Sequence, residues 1–210
     1  MENNSVFVLL AGGKSERMGV PKGLLAYKNT FWILEQLNRI TNTAITEVYI
    51  GLGFQFEDYF EAIPFLAKAQ NQFEAFENLQ IKVVLNKNPE AGSFSTLQSV
   101  LVHIPKSKSV LIQPVDIPIL NRTELQKIIE SQNTVVQPNY NGKNGHPIKL
   151  SSLFWNPLLA IVCKNENARL DFQIKKTNPE QRTKIEVQDS CCIQNLNSPD
   201  DWLVYKNTTK

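Results

Sequence analysis

Apolar residues fall along the chain in two rhythms, and the alternation between them predicts the fold class. Ser5 to Leu10 is a short, β-branched run without polar alternation, the pattern of a strand buried on both faces. It closes on Ala11-Gly12-Gly13. After a loop, Ile33, Leu34, Leu37 and Ile40 recur at three- and four-residue steps and mark an amphipathic helix. Glu47 to Leu52 reads as a second strand, closed by Gly51 and Gly53. Phe56, Tyr59, Phe60, Ile63 and Leu66 then stripe a helix that Pro64 kinks or breaks. That aromatic stripe reads as core packing.

Ile81 to Leu85, Ser109 to Pro114 and Thr134 to Gln137 supply three further strands. Between them lie a turn from Asn86 to Gly92, a helix through Leu97 and Leu101, and a helix from Thr123 to Ser131. Such regular alternation predicts right-handed crossovers and a mostly parallel sheet with helices on both faces, an α/β three-layer sandwich. Beyond Pro138 the rhythm changes. Asn139 to Gly145 is rich in turn residues, and His146 to Leu150 reads as a short strand. A helical stretch from Trp155 to about Ile174 and a last strand from Ile185 to Ile193 follow. Ser198-Pro199-Asp200-Asp201 has the N-cap, first-turn proline and acidic start of a helix. No repeat or linker interrupts the chain, so residues 1–210 are expected to form one domain.

Composition narrows the class. A chain of 210 residues buries roughly 70% of its unfolded surface and needs no disulfide or metal to fold. With 42% hydrophobic and 20% charged residues it is not a solvated disordered chain. A net charge of +2 gives no argument for a nucleic-acid or anionic-membrane partner. No apolar run approaches the ~18 residues of a membrane span, and Met1-Glu2-Asn3-Asn4 lacks the basic start of an export signal. The expected location is the cytoplasm, with Cys163, Cys191 and Cys192 as reduced thiols.

In open α/β sheets ligands gather at the carboxyl ends of the strands. The richest such end runs from Leu10 to Lys22. Adjacent Gly12 and Gly13 let backbone amides approach an anion, Ser15 offers a hydroxyl, and Arg17 and Lys22 bring two cations. Such a loop suits a di- or triphosphate. A Walker A motif is excluded because Val8 stands where its first glycine belongs, and the dinucleotide fingerprint fails because the glycines fall at 12, 13 and 19. Among six aspartates only Asp116 immediately follows an interior strand, where its carboxylate suits Mg²⁺ shared with phosphate oxygens.

Leu10-Ala11-Gly12-Gly13-x-Ser15-x-Arg17-Met18-Gly19-x-x-Lys22 resembles the signature loop of molybdenum cofactor nucleotidyltransferases, guanylyl- or cytidylyl-transferring. Pro114-Val115-Asp116-Ile117-Pro118 is similar to the D-x-P metal segment of their superfamily, and Asn88 to Leu97 to its glycine-serine segment. Gly145-His146-Pro147 and Gln194 to Asp201 resemble two further segments, in the family's order. The resemblance implies a glycosyltransferase A-like nucleotidyltransferase fold and an enzyme that moves CMP or GMP from the NTP to a phosphorylated acceptor, releasing pyrophosphate. The favoured acceptor is the molybdenum cofactor; a sugar phosphate or other small phosphate, or a silent nucleotide-binding protein, are the alternatives.

By position, the resemblance implies nucleotide binding by Leu10, Ala11, Gly12, Gly13, Ser15, Arg17, Lys22, Gly92 and Ser95. It implies catalytic roles for Lys22, Arg17 and Asp116, Mg²⁺ held by Asp116 with Asn197 (or Asn195), and acceptor contact by His146. Asp189 is an alternative second ligand, and His103 is expected to be structural. A partner protein that delivers the cofactor is compatible with this reading. The base stays open: Gly12 is the guanylyl-type residue, whereas the Gly92-to-Leu97 segment and Gly145-His146-Pro147 look cytidylyl-like.

Overall fold

A computed structural model describes residues 4–163 and 165–208. The chain begins with β1 (Ser5–Ala11), a small hairpin of β2 (Ala26–Tyr27) and β3 (Thr30–Phe31), α1 (Trp32–Thr41) and β4 (Glu47–Leu52). Next come α2 (Phe56–Ala62), α3 (Pro64–Lys68), β5 (Glu74–Phe76) and β6 (Leu79–Leu85). Then follow α4 (Ser93–Leu101), β7 (Ser109–Pro114), α5 (Arg122–Glu130) and β8 (Val135–Tyr140). The last third holds β9 (Lys143–Asn144), β10 (Ile148–Leu150), α6 (Ser152–Trp155), α7 (Leu170–Lys176), β11 (Arg182–Glu186) and α8 (Pro199–Thr208).

Strand periodicity produces the layers. Successive side chains of a strand point to opposite faces, so Phe7 and Leu9 of β1 enter one core and Val6 and Val8 the other. The first core takes Ile33 and Leu37 of α1, Tyr59 of α2, Leu125 of α5 and Trp202 of α8. The second takes Leu97 and Leu101 of α4, Trp155 of α6 and Ile174 of α7. Helices therefore cover both faces of one α/β domain, as the rhythm of the sequence predicts.

Among the described residues the main sheet has nine strands, in the order β11-β8-β10-β7-β1-β4-β6-β5, with β9 paired to β8. β7, β1, β4 and β6 are parallel neighbours, and β11 runs parallel to β8. After β1 the chain moves outward to β4 and β6, then returns through α4 to β7 on the other side of β1. That reversal makes the carboxyl ends of β1 and β7 the crevice where such sheets bind ligands.

Pro64 breaks the second helical stripe as expected: it stands at the first position of α3, after a single non-helical Ile63. Other expectations are corrected. No helix spans Trp155 to Ile174; α6 passes into a 3₁₀ turn over Asn156–Ala160 that starts around Pro157, and α7 begins only at Leu170. Between them the side chain of Asn165 accepts from Asn167 N at 2.8 Å, the local turn bond that competes with helix. The last strand is Arg182–Glu186, not Ile185 to Ile193, because the Asp189 side chain caps a 3₁₀ helix over Ser190–Ile193. The turn-rich loop after Pro138 contains the β8–β9 hairpin, whose Asn141-Gly142 corner has φ of 48° and 81°.

β10 begins at Ile148 and runs antiparallel to both neighbours. Its Lys149 is only 4% exposed, and Nζ donates to the carbonyls of Ile129 and Ser131 at 2.5 and 2.6 Å. A buried cation thus caps the carbonyl end of α5. Burial lowers its pKa from the usual lysine value. Among the described residues the three cysteines are free, with Cys191 and Cys192 buried.

Candidate active site

The glycine loop leaves β1 at the switch point. Gly12 fits there for lack of a side chain: a Cβ would meet Thr96 Oγ1 at 2.8 Å. Across from it, a Cβ on Gly53 would come within 2.7 Å of the Gly12 carbonyl oxygen. The loops after β1 and β4 are therefore packed backbone to backbone. Gly13 is exposed, with open space around the position of a Cβ. Ser15 takes a left-handed conformation, and its Oγ accepts from Lys22 N at 3.1 Å, closing the loop on itself.

A cleft of about 640 Å³ opens above these turns. Leu10, Ala11, Gly12, Gly13, Ser15 and Lys22 all line it, together with Gly92, Asp116 and His146. Arg17, Ser95 and Asn197 of the expected set are not among the lining residues. Arg17 is exposed and outside the lining; its charge lies near Asp201, whose carboxyl is lowered first by Ser198 and lastly by Arg17. Ser95 is buried, and its Oγ accepts from Asn86 Nδ2 at 2.7 Å and donates toward Gly92 O at 2.7 Å. That hydroxyl shapes the turn before α4, while its neighbours Ser93, Phe94 and Thr96 line the cleft.

Three polar groups meet at the floor. Lys22 Nζ lies 2.7 Å from Asp116 Oδ2 and 2.7 Å from Asn197 Oδ1. The segment before α8 is brought there by Leu196 N, which donates to the Asp116 carbonyl at 2.8 Å. Asn195 is exposed, and its carbonyl accepts from Asn197 N at 3.0 Å. The alternative ligand Asp189 is committed elsewhere: its carboxylate accepts from Asn121 N and Cys191 N, each at 3.0 Å, outside the cleft. His103 is exposed at the end of α4, away from the lining.

The Asp116 turn is clamped from α1 and from within β7. Trp32 Nε1 donates to Val115 O at 2.6 Å. Gln36, fully buried, donates to Ile117 O at 2.8 Å and accepts from Ile119 N at 3.1 Å. Gln113 Nε2 adds a bond to Ile117 O at 2.6 Å. Tyr59 holds Lys22 from the other side: its hydroxyl accepts from Gly23 N at 3.1 Å, and burial raises its pKa far above the usual phenol value. These positioning groups escape sequence reading because hydrophobic periodicity does not flag a buried glutamine. Lys14 also lines the cleft, held near Glu90 and Glu16 at 3.5 and 3.8 Å and 5.0 Å from the centroid of Phe54.

His146 is partly buried, and its backbone N–H donates to Cys192 O at 2.9 Å. Burial lowers its pKa to about 4, against the opposing pull of Asp116. At neutral pH the ring is uncharged and meets a ligand as a hydrogen-bonding group. A depressed folded pKa contributes stability above the unfolded value of about 6.5, and that stability is lost as pH falls toward 4. Between pH 7 and pH 4.5 the protein is expected to lose about 2 kcal/mol more than His146→Gln does, measured by urea unfolding. Parallel pH profiles for the two proteins would contradict the buried neutral imidazole.

A crevice of this build, at the switch point of a mixed α/β sheet, is that of a nucleotidyltransferase. The particular family follows from residues 7–177, which match the MobA-like NTP transferase domain, and the chain belongs to that family. It is 27% identical over 206 residues to a Campylobacter jejuni protein named molybdenum cofactor guanylyltransferase, with 97% of this chain and 96% of that protein covered. The structure of Rv0371c from Mycobacterium tuberculosis matches with a TM-score of 0.76 at 20% identity, covering 99% of each chain. The structure of that protein in complex with manganese gives 0.72 at 18% identity, covering 99% of this chain and 100% of that one. At those identities the structural likeness speaks for the fold. No helix among the described residues is long and apolar enough to cross a membrane.

Proposed function

We propose that this protein transfers GMP from GTP to the phosphate of the molybdenum cofactor, with a divalent cation, Mg²⁺, as its metal. The observation that carries the reading is the convergence of Lys22, Asp116 and Asn197 beside the glycine loop. Guanine is favoured over cytosine by Gly12 at the third place of the loop and by the name of the relative from Campylobacter jejuni.

The donor set fits such a metal. A carboxylate and an amide oxygen already hold one cation, the Lys22 ammonium, and hard oxygen donors of this kind suit Mg²⁺ completed by phosphate oxygens and water. When bound, the metal would neutralise charge on the phosphates. The chain's own groups do the rest. Amides around Gly12 and Gly13, with Ser15, cradle the β- and γ-phosphates, and Arg17, outside the cleft lining, takes no part in that cradle. Lys22 draws charge at the α-phosphate, and neutral His146 orients the acceptor. An acceptor phosphate oxygen bonds to the α-phosphorus, the bond to the β-phosphate bridge breaks, and pyrophosphate carries off the electron pair. Positioning and charge stabilisation suffice, without a covalent enzyme intermediate.

A thermal-shift panel of GTP, CTP, ATP and UTP, each with and without Mg²⁺, tests this reading. Binding to the native state alone stabilises by about 2.7 kcal/mol at a hundredfold excess over the dissociation constant. A Mg²⁺-dependent shift confined to GTP, with pyrophosphate released only when molybdenum cofactor is added, is expected. A shift confined to CTP would overturn the base, and turnover on a sugar phosphate instead would overturn the acceptor.

A further inference from the structure

One feature of the cleft floor is more than nucleotidyl transfer needs. The Lys22 ammonium bridges the two oxygens, Asp116 Oδ2 and Asn197 Oδ1, that the proposed function gives to the metal. The same ammonium is assigned to the α-phosphate. Mg²⁺ drawn onto the same two oxygens, at about 2.0–2.1 Å from each, would stand against the ammonium at close range, and two cations held so near repel each other, so they compete for this floor.

The ion pair is not needed to hold these segments together. Asp116 is tied to the segment before α8 by Leu196 N at 2.8 Å, and the Lys22 backbone is tied to Ser15 Oγ at 3.1 Å. Neither bond involves the lysine side chain, so neither depends on where its flexible stem points. The pair is only partly open to water, with side chains 14% and 24% exposed, so the ammonium stands in for solvent on these oxygens.

We infer that Lys22 is a built-in plug of the metal position. In the nucleotide-free protein its ammonium occupies the Asp116–Asn197 oxygens, and a nucleotide phosphate recruits it away so that the divalent cation can enter. Metal and nucleotide then bind cooperatively, and by linkage each raises the affinity of the other by the same factor. The enzyme would thus avoid holding a bare metal between turnovers. This rests on the proposed metal site.

The test is Mn²⁺ binding to nucleotide-free protein, read by the electron paramagnetic resonance signal of free Mn²⁺, with circular dichroism confirming folding. Lys22→Met, which keeps the aliphatic stem, is expected to bind one Mn²⁺ at least tenfold more tightly than the unaltered protein. Adding Asp116→Asn to it should abolish the gain. Lys14→Met removes another cation that lines the cleft and should change the affinity less than threefold. Equal gains from Lys22→Met and Lys14→Met would reduce the plug to a general field effect and overturn it. Equal, Asp116-dependent binding by the unaltered protein and Lys22→Met would overturn the plug and leave the metal site standing. Absence of Asp116-dependent binding in both would overturn the plug together with the metal site.

Discussion

Lys22→Ala and Asp116→Ala are each expected to slow nucleotidyl transfer by about 10²–10³ while the fold survives. Both side chains act at the point where charge develops, in a cleft walled by β1, β7 and α4, where a fixed charge counts for more than in water. Their structural cost is small. The pair is partly exposed, and the backbone at both residues is held by other bonds, so unfolding free energy should fall by only about 1 kcal/mol. Pyrophosphate release at saturating nucleotide, beside a thermal melt, separates the two effects. Near-normal release by both variants would remove the chemistry from this cleft floor.

Gln36→Leu is expected to damage stability and catalysis together, although Gln36 does not line the cleft. Its amide is fully buried between α1 and the Asp116 turn, donating to Ile117 O and accepting from Ile119 N. Leucine fills similar space but leaves the Ile119 N–H without that partner, and a buried donor stranded in this way costs about 1–3 kcal/mol beyond the lost bonds. A total near 3 kcal/mol lowers the melting temperature by roughly 6–12 °C in a chain of this size. Asp116 sits between the two carbonyls that Trp32, Gln36 and Gln113 hold, so loosening the turn displaces its carboxylate. A displacement approaching 1 Å can cost about 10²-fold in rate. The expected signature is a kcat reduced tenfold or more with a smaller change in the KM for nucleotide. Unchanged melting together with unchanged kcat would show that the clamp does not position the carboxylate.

These two experiments probe groups of different legibility. Lys22 and Asp116 stand out in the sequence, one by its place in a glycine loop and the other as the sole aspartate directly after an interior strand. Gln36 does not, because it sits among Leu34, Leu37 and Ile40 as an ordinary polar position of an amphipathic helix. Its partners lie 79 to 83 residues away. Asn197 is an intermediate case. Resemblance picks it out together with Asn195, and the fold separates the two by bringing only Asn197 to Lys22, 175 residues earlier in the chain.

Local chemistry determined the parts of this protein that repeat over a few residues. Buried strands such as β1 and β4, the striped helix α1, the break at Pro64 and the glycine loop after β1 are all written in neighbouring positions, since side-chain period and backbone freedom are short-range properties. Only the tertiary structure decided what depends on the path of the chain. It inserted β10 antiparallel between β7 and β8, buried Lys149 under the end of α5, and turned Ser95 away from the cleft toward its own turn. It also set the Lys22 ammonium between the oxygens of Asp116 and Asn197, 94 and 175 residues further along the chain. Such pairings depend on strand order and on buried polar groups finding partners, and neither has a period that a one-dimensional pattern can carry.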